Sequence, residues 1–188
     1  MMWSSRDIAA IIVLAVVSFL YSVFVGQLGN LLTGVLGFNY FFFWGHAILI
    51  AFGLLIYEGR RWRFLTQGII VALLTLPTYQ SGLPFDFIAR IPMITNSFLI
   101  DILFNTGRGY FEKKNRLLWW IIITNIAWII FIPFLLVLNM SIFYSTQALT
   151  AWLNIYFMLF PITFIEMVVG AYIGYKLFNR IKSEEITM

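Results

Sequence analysis

Three ionisable residues fall inside otherwise apolar stretches of this chain: His46, Asp101 and Glu166. A charge placed in hydrocarbon costs about 2.5–3.5 kcal/mol on insertion scales, so each of these groups needs a partner or a cavity. Glu166 is the most informative. Steps of three and four residues from it reach Thr163, Leu159, Tyr156 and Trp152 on one side and Gly170 and Gly174 on the other, all on one helical face. A carboxylate beneath an aromatic wall suits a cationic or amine-bearing ligand. It equally suits a hydrogen bond to a neighbouring helix, and the two readings stand side by side at this level. Gly170-x-x-x-Gly174 reads more simply as a packing face, because missing side chains let helix backbones approach.

Asp101 shares a stripe with Arg90, Ser97, Asn105 and Arg108. For Asp101 a structural role, pairing with a loop arginine or capping a neighbouring helix, outweighs a ligand role. Arg90 lies four residues after Asp86, so the two could pair with each other or flank a site mouth. A third stripe carries Asn125, Trp128, Ile132, Leu135 and Asn139. Its plain reading is hydrogen bonding between helices, and its ligand reading needs three helices to converge. His46 has no second histidine or nearby acid in the sequence and reads as a neutral core residue. The candidate substrate contacts are therefore Trp152, Tyr156, Thr163 and Glu166, with Trp128, Asn139 and Arg90. Aromatic faces would stack on a ring, and the polar groups would fix its edge.

The elements that must position these residues follow from composition. Of 188 residues, 62% are hydrophobic, 19% aromatic and only 11% charged. The mean hydropathy is +0.92. A soluble domain is about 45–50% apolar and about 25% charged, and one of this size cannot hide so much apolar surface. The expected fold is all-α: a single integral membrane domain of six transmembrane helices. A helix needs about 20 apolar residues to cross the bilayer. The expected spans are about 8–26, 39–57, 64–80, 85–105, 117–138 and 150–178. The first is expected to be a retained helix rather than a signal peptide. Continuous rather than alternating apolar runs argue against membrane strands.

Eleven of the twelve Lys and Arg fall at the amino terminus, at the carboxyl terminus and in two alternate loops (residues 60–63 and 108–116). The positive-inside rule then predicts cytoplasmic N- and C-termini in a multi-pass protein of the cell membrane. That distribution fits anionic lipid, and nucleic acid is not an expected partner. The three opposite loops are Gly26–Phe38, Thr78–Phe87 and Asn139–Thr150; the first could fold back as a short helix or lie in the interface. There is no cysteine and one histidine, so thiolate and multi-histidine metal sites are excluded, and no cofactor is expected. No G-x-S-x-G, H-E-x-x-H or Walker motif occurs, and no enzymatic activity is expected.

This layout resembles the substrate-binding S-component of an energy-coupling factor (ECF) vitamin transporter. The likeness is carried by SSRDIAAIIVLAVVSFLYSVF at 4–24, by IPMITNSFLIDILF at 91–104 and by FPITFIEMVVGAYIGYKLFNRI at 160–181. The resemblance implies a pocket for a vitamin or precursor, made by the first outer loop and the fourth to sixth helices. It also implies docking on a membrane coupling subunit with two ATPases. Small residues on the first helix would form that docking face, where this chain has Ser18-x-x-x-Ser22 in place of a strict Ala-x-x-x-Ala. The expected function is therefore nutrient binding within a transporter. The alternatives are a stand-alone ion-coupled carrier or channel, or a membrane assembly protein without transport activity.

Overall fold

The computed structural model describes residues 3–26, 43–79, 83–143 and 146–187. All but the first residue of the loop at 26–38 lies outside these ranges, and the side chain of Trp152 is likewise outside the described part. The described chain is helical, without a strand. We number the helices α1 Ser5–Leu20, α2 Phe43–Ile56, α3 Arg63–Thr75, α4 Ile91–Lys113, α5 Leu117–Phe143 and α6 Thr146–Thr187. A wider π-helical segment, Tyr21–Gly26, extends α1, and a short 3-10 turn, Ile88–Arg90, leads into α4.

Local chemistry sets these ends. Ser4 and Asp7 form a capping box at the start of α1: Asp7 N–H donates to Ser4 Oγ at 3.1 Å, and Ser4 N–H to Asp7 Oδ2 at 3.0 Å. Pro77 follows α3 by two residues and cannot continue it. Pro92 sits in the first turn of α4, where its missing N–H has no helical partner to lose. The helix therefore starts at Ile91, later than the expected 85, and runs on to Lys113 with an Arg108–Glu112 pair at 3.3 Å. The expected loop at 139–150 is largely helical, because α5 continues to Phe143 and α6 begins at Thr146.

The helices pack in a closed ring in the order α1, α3, α4, α5, α6, α2, with α2 returning to α1. The α2–α6 seam is the most extensive. It is dictated by small residues. A Cβ on Gly170 would lie 2.5 Å from Ala47 Cβ, and one on Gly174 would lie 2.9 Å from Ala51 Cβ. The α3–α4 seam closes in the same way, with Gly68 against Ser97, and the α4–α5 seam with Gly107 under the Trp120 indole. Ile11, Leu54, Ile100, Phe104, Ile121 and Met167 fill the centre.

The outer faces are as apolar as the core. Val13, Leu73, Phe134, Met158 and Ile165 are all exposed. Three helices are long and apolar enough to cross a membrane, over Ser5–Val25, Leu117–Asn139 and Leu149–Glu184. The helices α2 and α3 are apolar but shorter, at 14 and 13 residues. In α4 the polar residues Asn96, Asp101, Asn105 and Arg108 interrupt the apolar content.

Candidate functional site

Phe43, the first residue of α2, is the meeting point of the inward-facing polar groups. Its N–H donates to Glu166 Oε2 at 3.1 Å, so a carboxylate on α6 caps α2. Such a cap satisfies an orphan amide and places negative charge at the positive end of the helix dipole. Oε1 of Glu166 takes no hydrogen bond from a described residue. The Phe43 ring lies 5.5 Å from the His46 ring and 5.8 Å from the Trp128 indole. His46 in turn lies 6.4 Å from Trp128, nearly parallel to it, and 4.9 Å from the Tyr21 ring, edge-on.

His46 Nε2 and Ser22 Oγ share a hydrogen bond of 2.8 Å that ties α2 to the π-helical end of α1. His46 Nδ1 is buried and has no partner among the described residues. The arrangement thus brings an imidazole, a carboxylate and a hydroxyl against a wall of Tyr21, Phe43 and Trp128. The sequence marked His46 as an isolated core residue and Ser22 as a packing residue. Their pairing joins residues 24 apart in the chain, and neither spacing signalled it.

Thr163, Leu159 and Tyr156 of the Glu166 face are buried. Thr163 is enclosed and returns its hydroxyl to Leu159 O of its own helix at 3.1 Å. Tyr156 is enclosed too, and its hydroxyl donates to Ile129 O on α5. That bond has a cause in the sequence. Ile129 stands four residues before Pro133, and a proline has no N–H to give to that carbonyl. Asn96 on α4 supplies the neighbouring carbonyl, Trp128 O, at 3.0 Å. The proline site of α5 is therefore braced from both sides. Phe43 packs against Tyr156 and Leu159, linking this layer to the Glu166 layer.

Arg90 and Asn139 form a second, separate cluster. The Arg90 guanidinium, only 2% exposed, donates to Thr75 O, Thr78 O, Leu83 O and Asp86 O at 2.9–3.1 Å. It clasps the end of α3 and the turn that follows. Asn139 Nδ2 donates to Ile88 O at 2.8 Å and fixes the 3-10 turn to α5. The structure thus joins Trp128 with Glu166 through Phe43, sets Thr163 and Tyr156 beside them along α6, and puts Arg90 and Asn139 elsewhere.

Asp101 and Asp7 serve the turn between α2 and α3 and the start of α3. Asp101 caps α3, accepting from Trp62 N–H at 3.2 Å and Leu65 N–H at 3.1 Å, the capping role its position had suggested. Asp7 binds Arg63 at 2.8 Å and Arg60 at 3.0 Å, joining α1 to the α2–α3 turn. Beneath it Tyr57 Oη donates to Gln67 Oε1 at 2.8 Å, and Gln67 Nε2 donates to Ser18 Oγ at 3.3 Å. Among the described residues no group of three or more His, Cys, Asp and Glu could hold a metal ion.

Compared with known proteins, the chain matches no family model, no curated protein and no solved structure.

Proposed function

We propose that this protein is a membrane-embedded substrate-binding subunit for a small, ring-containing nutrient, working with separate coupling and ATPase subunits in the manner of an ECF S-component. In this reading all six helices cross the cell membrane, with both termini in the cytoplasm. The observation that supports it is the cluster around Phe43. Two polar atoms, His46 Nδ1 and Glu166 Oε1, have no hydrogen-bond partner among the described residues, and three aromatic rings stand beside them. An aromatic wall with a few unspent polar atoms is the usual make-up of a small-molecule site. The ligand would stack on Trp128 or Tyr21 and place a hydrogen-bonding edge towards His46 and Glu166. Arg90, engaged by four carbonyls, would hold the site's frame rather than touch the ligand.

Titration of the purified protein with vitamins and their precursors, followed by Trp fluorescence, tests this directly. Binding at micromolar or below, about −8 kcal/mol, is the expected result. Glu166→Gln and His46→Ala should each weaken it by ten-fold or more, about 1.4 kcal/mol. Absence of binding across the series, or affinity untouched by both substitutions, removes the proposal. Uptake into liposomes holding this chain alone would favour the stand-alone carrier instead.

A further inference from the structure

We infer that the groove between the start of α3 and the outer face of α4 seats an anionic phospholipid, with its phosphate on Arg61. The inference rests on the membrane reading but not on the nutrient site.

The groove has a volume of about 250 Å³ and is lined by Arg61, Trp62, Asp101, Ile102, Asn105 and Thr106. The charges around it are unevenly satisfied. Arg60 pairs with Asp7 and Glu58, Arg63 with Asp7, and Arg108 with Glu112. Arg61 is exposed and has no acidic partner among the described residues. The acid in the groove does not compete for it. Asp101 already accepts from the N–H groups of Trp62 and Leu65 and from the Asn105 amide. A guanidinium left over in this way is matched by a phosphate, which it can bind through two parallel hydrogen bonds.

The surroundings fit a lipid rather than a free anion. Trp62, 47% exposed, lies nearly parallel to the Phe98 ring at 6.0 Å. An amphipathic indole of this kind belongs at headgroup depth. From Ile102 in the groove wall, the exposed Phe98 of α4 and the exposed Ile69 and Leu73 of α3 continue as an apolar track. The headgroup end is thus cationic and the far end suits an acyl chain. Basic pockets between helices are recognised sites for acidic headgroups.

The test uses the full chain in neutral detergent, titrated with dioleoyl phosphatidylglycerol, dioleoyl phosphatidylcholine or inorganic phosphate and read by native mass spectrometry. One guanidinium at the membrane surface should give the anionic lipid about a five-fold preference over the zwitterionic one. Arg61→Gln should reduce that ratio to about one. Thr106→Phe, which fills the groove and leaves the charge, should abolish binding of the anionic lipid. Lys182→Gln, an equal charge change on the exposed end of α6, should leave the preference intact. Equal affinity for the two lipids overturns the inference. So does an equal loss in Arg61→Gln and Lys182→Gln, which would mean diffuse attraction. Displacement of the lipid by inorganic phosphate at equal concentration would also overturn it. Failure of the membrane reading looks different: the chain would then be washed from phosphatidylcholine vesicles at alkaline pH.

Discussion

At the scale of single residues, several polar groups of this protein serve backbone amides and carbonyls that their own helices leave unpaired. Tyr156 is the clearest case, since its hydroxyl supplies the Ile129 carbonyl from which Pro133 withholds a donor. Tyr156→Phe should destabilise the protein by about 1 kcal/mol, within the range for hydrogen bonds between membrane helices. In a Pro133→Ala background the helix can supply its own N–H, so the same substitution should cost much less. A double-mutant cycle read by thermal or denaturant unfolding measures the difference, and equal costs in both backgrounds would refute the assignment. Asp101 makes a parallel case. Replacing it with Asn removes one acceptor oxygen from the start of α3 and should lower stability by about 1 kcal/mol. Of the residues singled out from sequence, Glu166 and Asp101 stood out because charge in an apolar run needs an explanation. What each would bind was not legible, since Phe43 and Leu65 lie far from them along the chain.

At the scale of helices, contact is governed by where side chains are missing. Gly170 and Gly174 meet Ala47 and Ala51, so two small-residue faces that are legible separately in the sequence turn out to be partners. Gly170→Val should separate α2 from α6 and cost about 3 kcal/mol, because the added Cβ would meet both Ala47 Cβ and the Trp44 carbonyl at 2.5 Å. A compensating Ala47→Gly should recover only part of this, since the carbonyl remains. Gly109 gives the contrast. It lies within α4 with nothing within 4 Å of an added Cβ, so Gly109→Ala should raise stability by about 0.5–1 kcal/mol. Unfolding midpoints of the two variants should therefore move in opposite directions. The helix ends departed from expectation where polarity was used as a stop signal. Uncharged polar residues near 139–150 suggested a loop, yet the helix accommodates Asn139 and Ser141, whose side chains bond to Ile88 O and Leu138 O.

At the scale of the whole molecule, six crossings make a prediction that three would not. The chain has no cysteine, so single cysteines can be introduced without background. Cysteines at Arg61, Lys114 and Ser183 should react with a membrane-impermeant reagent from one side, and those at Leu83 and Ser141 from the other. Labelling of Arg61 and Leu83 from the same side would show that α3 does not cross. The apolar character, the helical nature of the described segments and the clustering of basic residues in alternate connections were all present in the sequence. They depend on local composition and on the length of helix an apolar run can form. The ring order of the helices, the assembly of His46, Ser22, Phe43, Trp128 and Glu166, and the diversion of Arg90 to a clasp of carbonyls were decided only by tertiary structure. The physical reason is that hydropathy tells a helix to leave water but not which neighbour to choose. In an apolar environment that choice falls to close packing and to the few polar atoms that must find partners across the bundle.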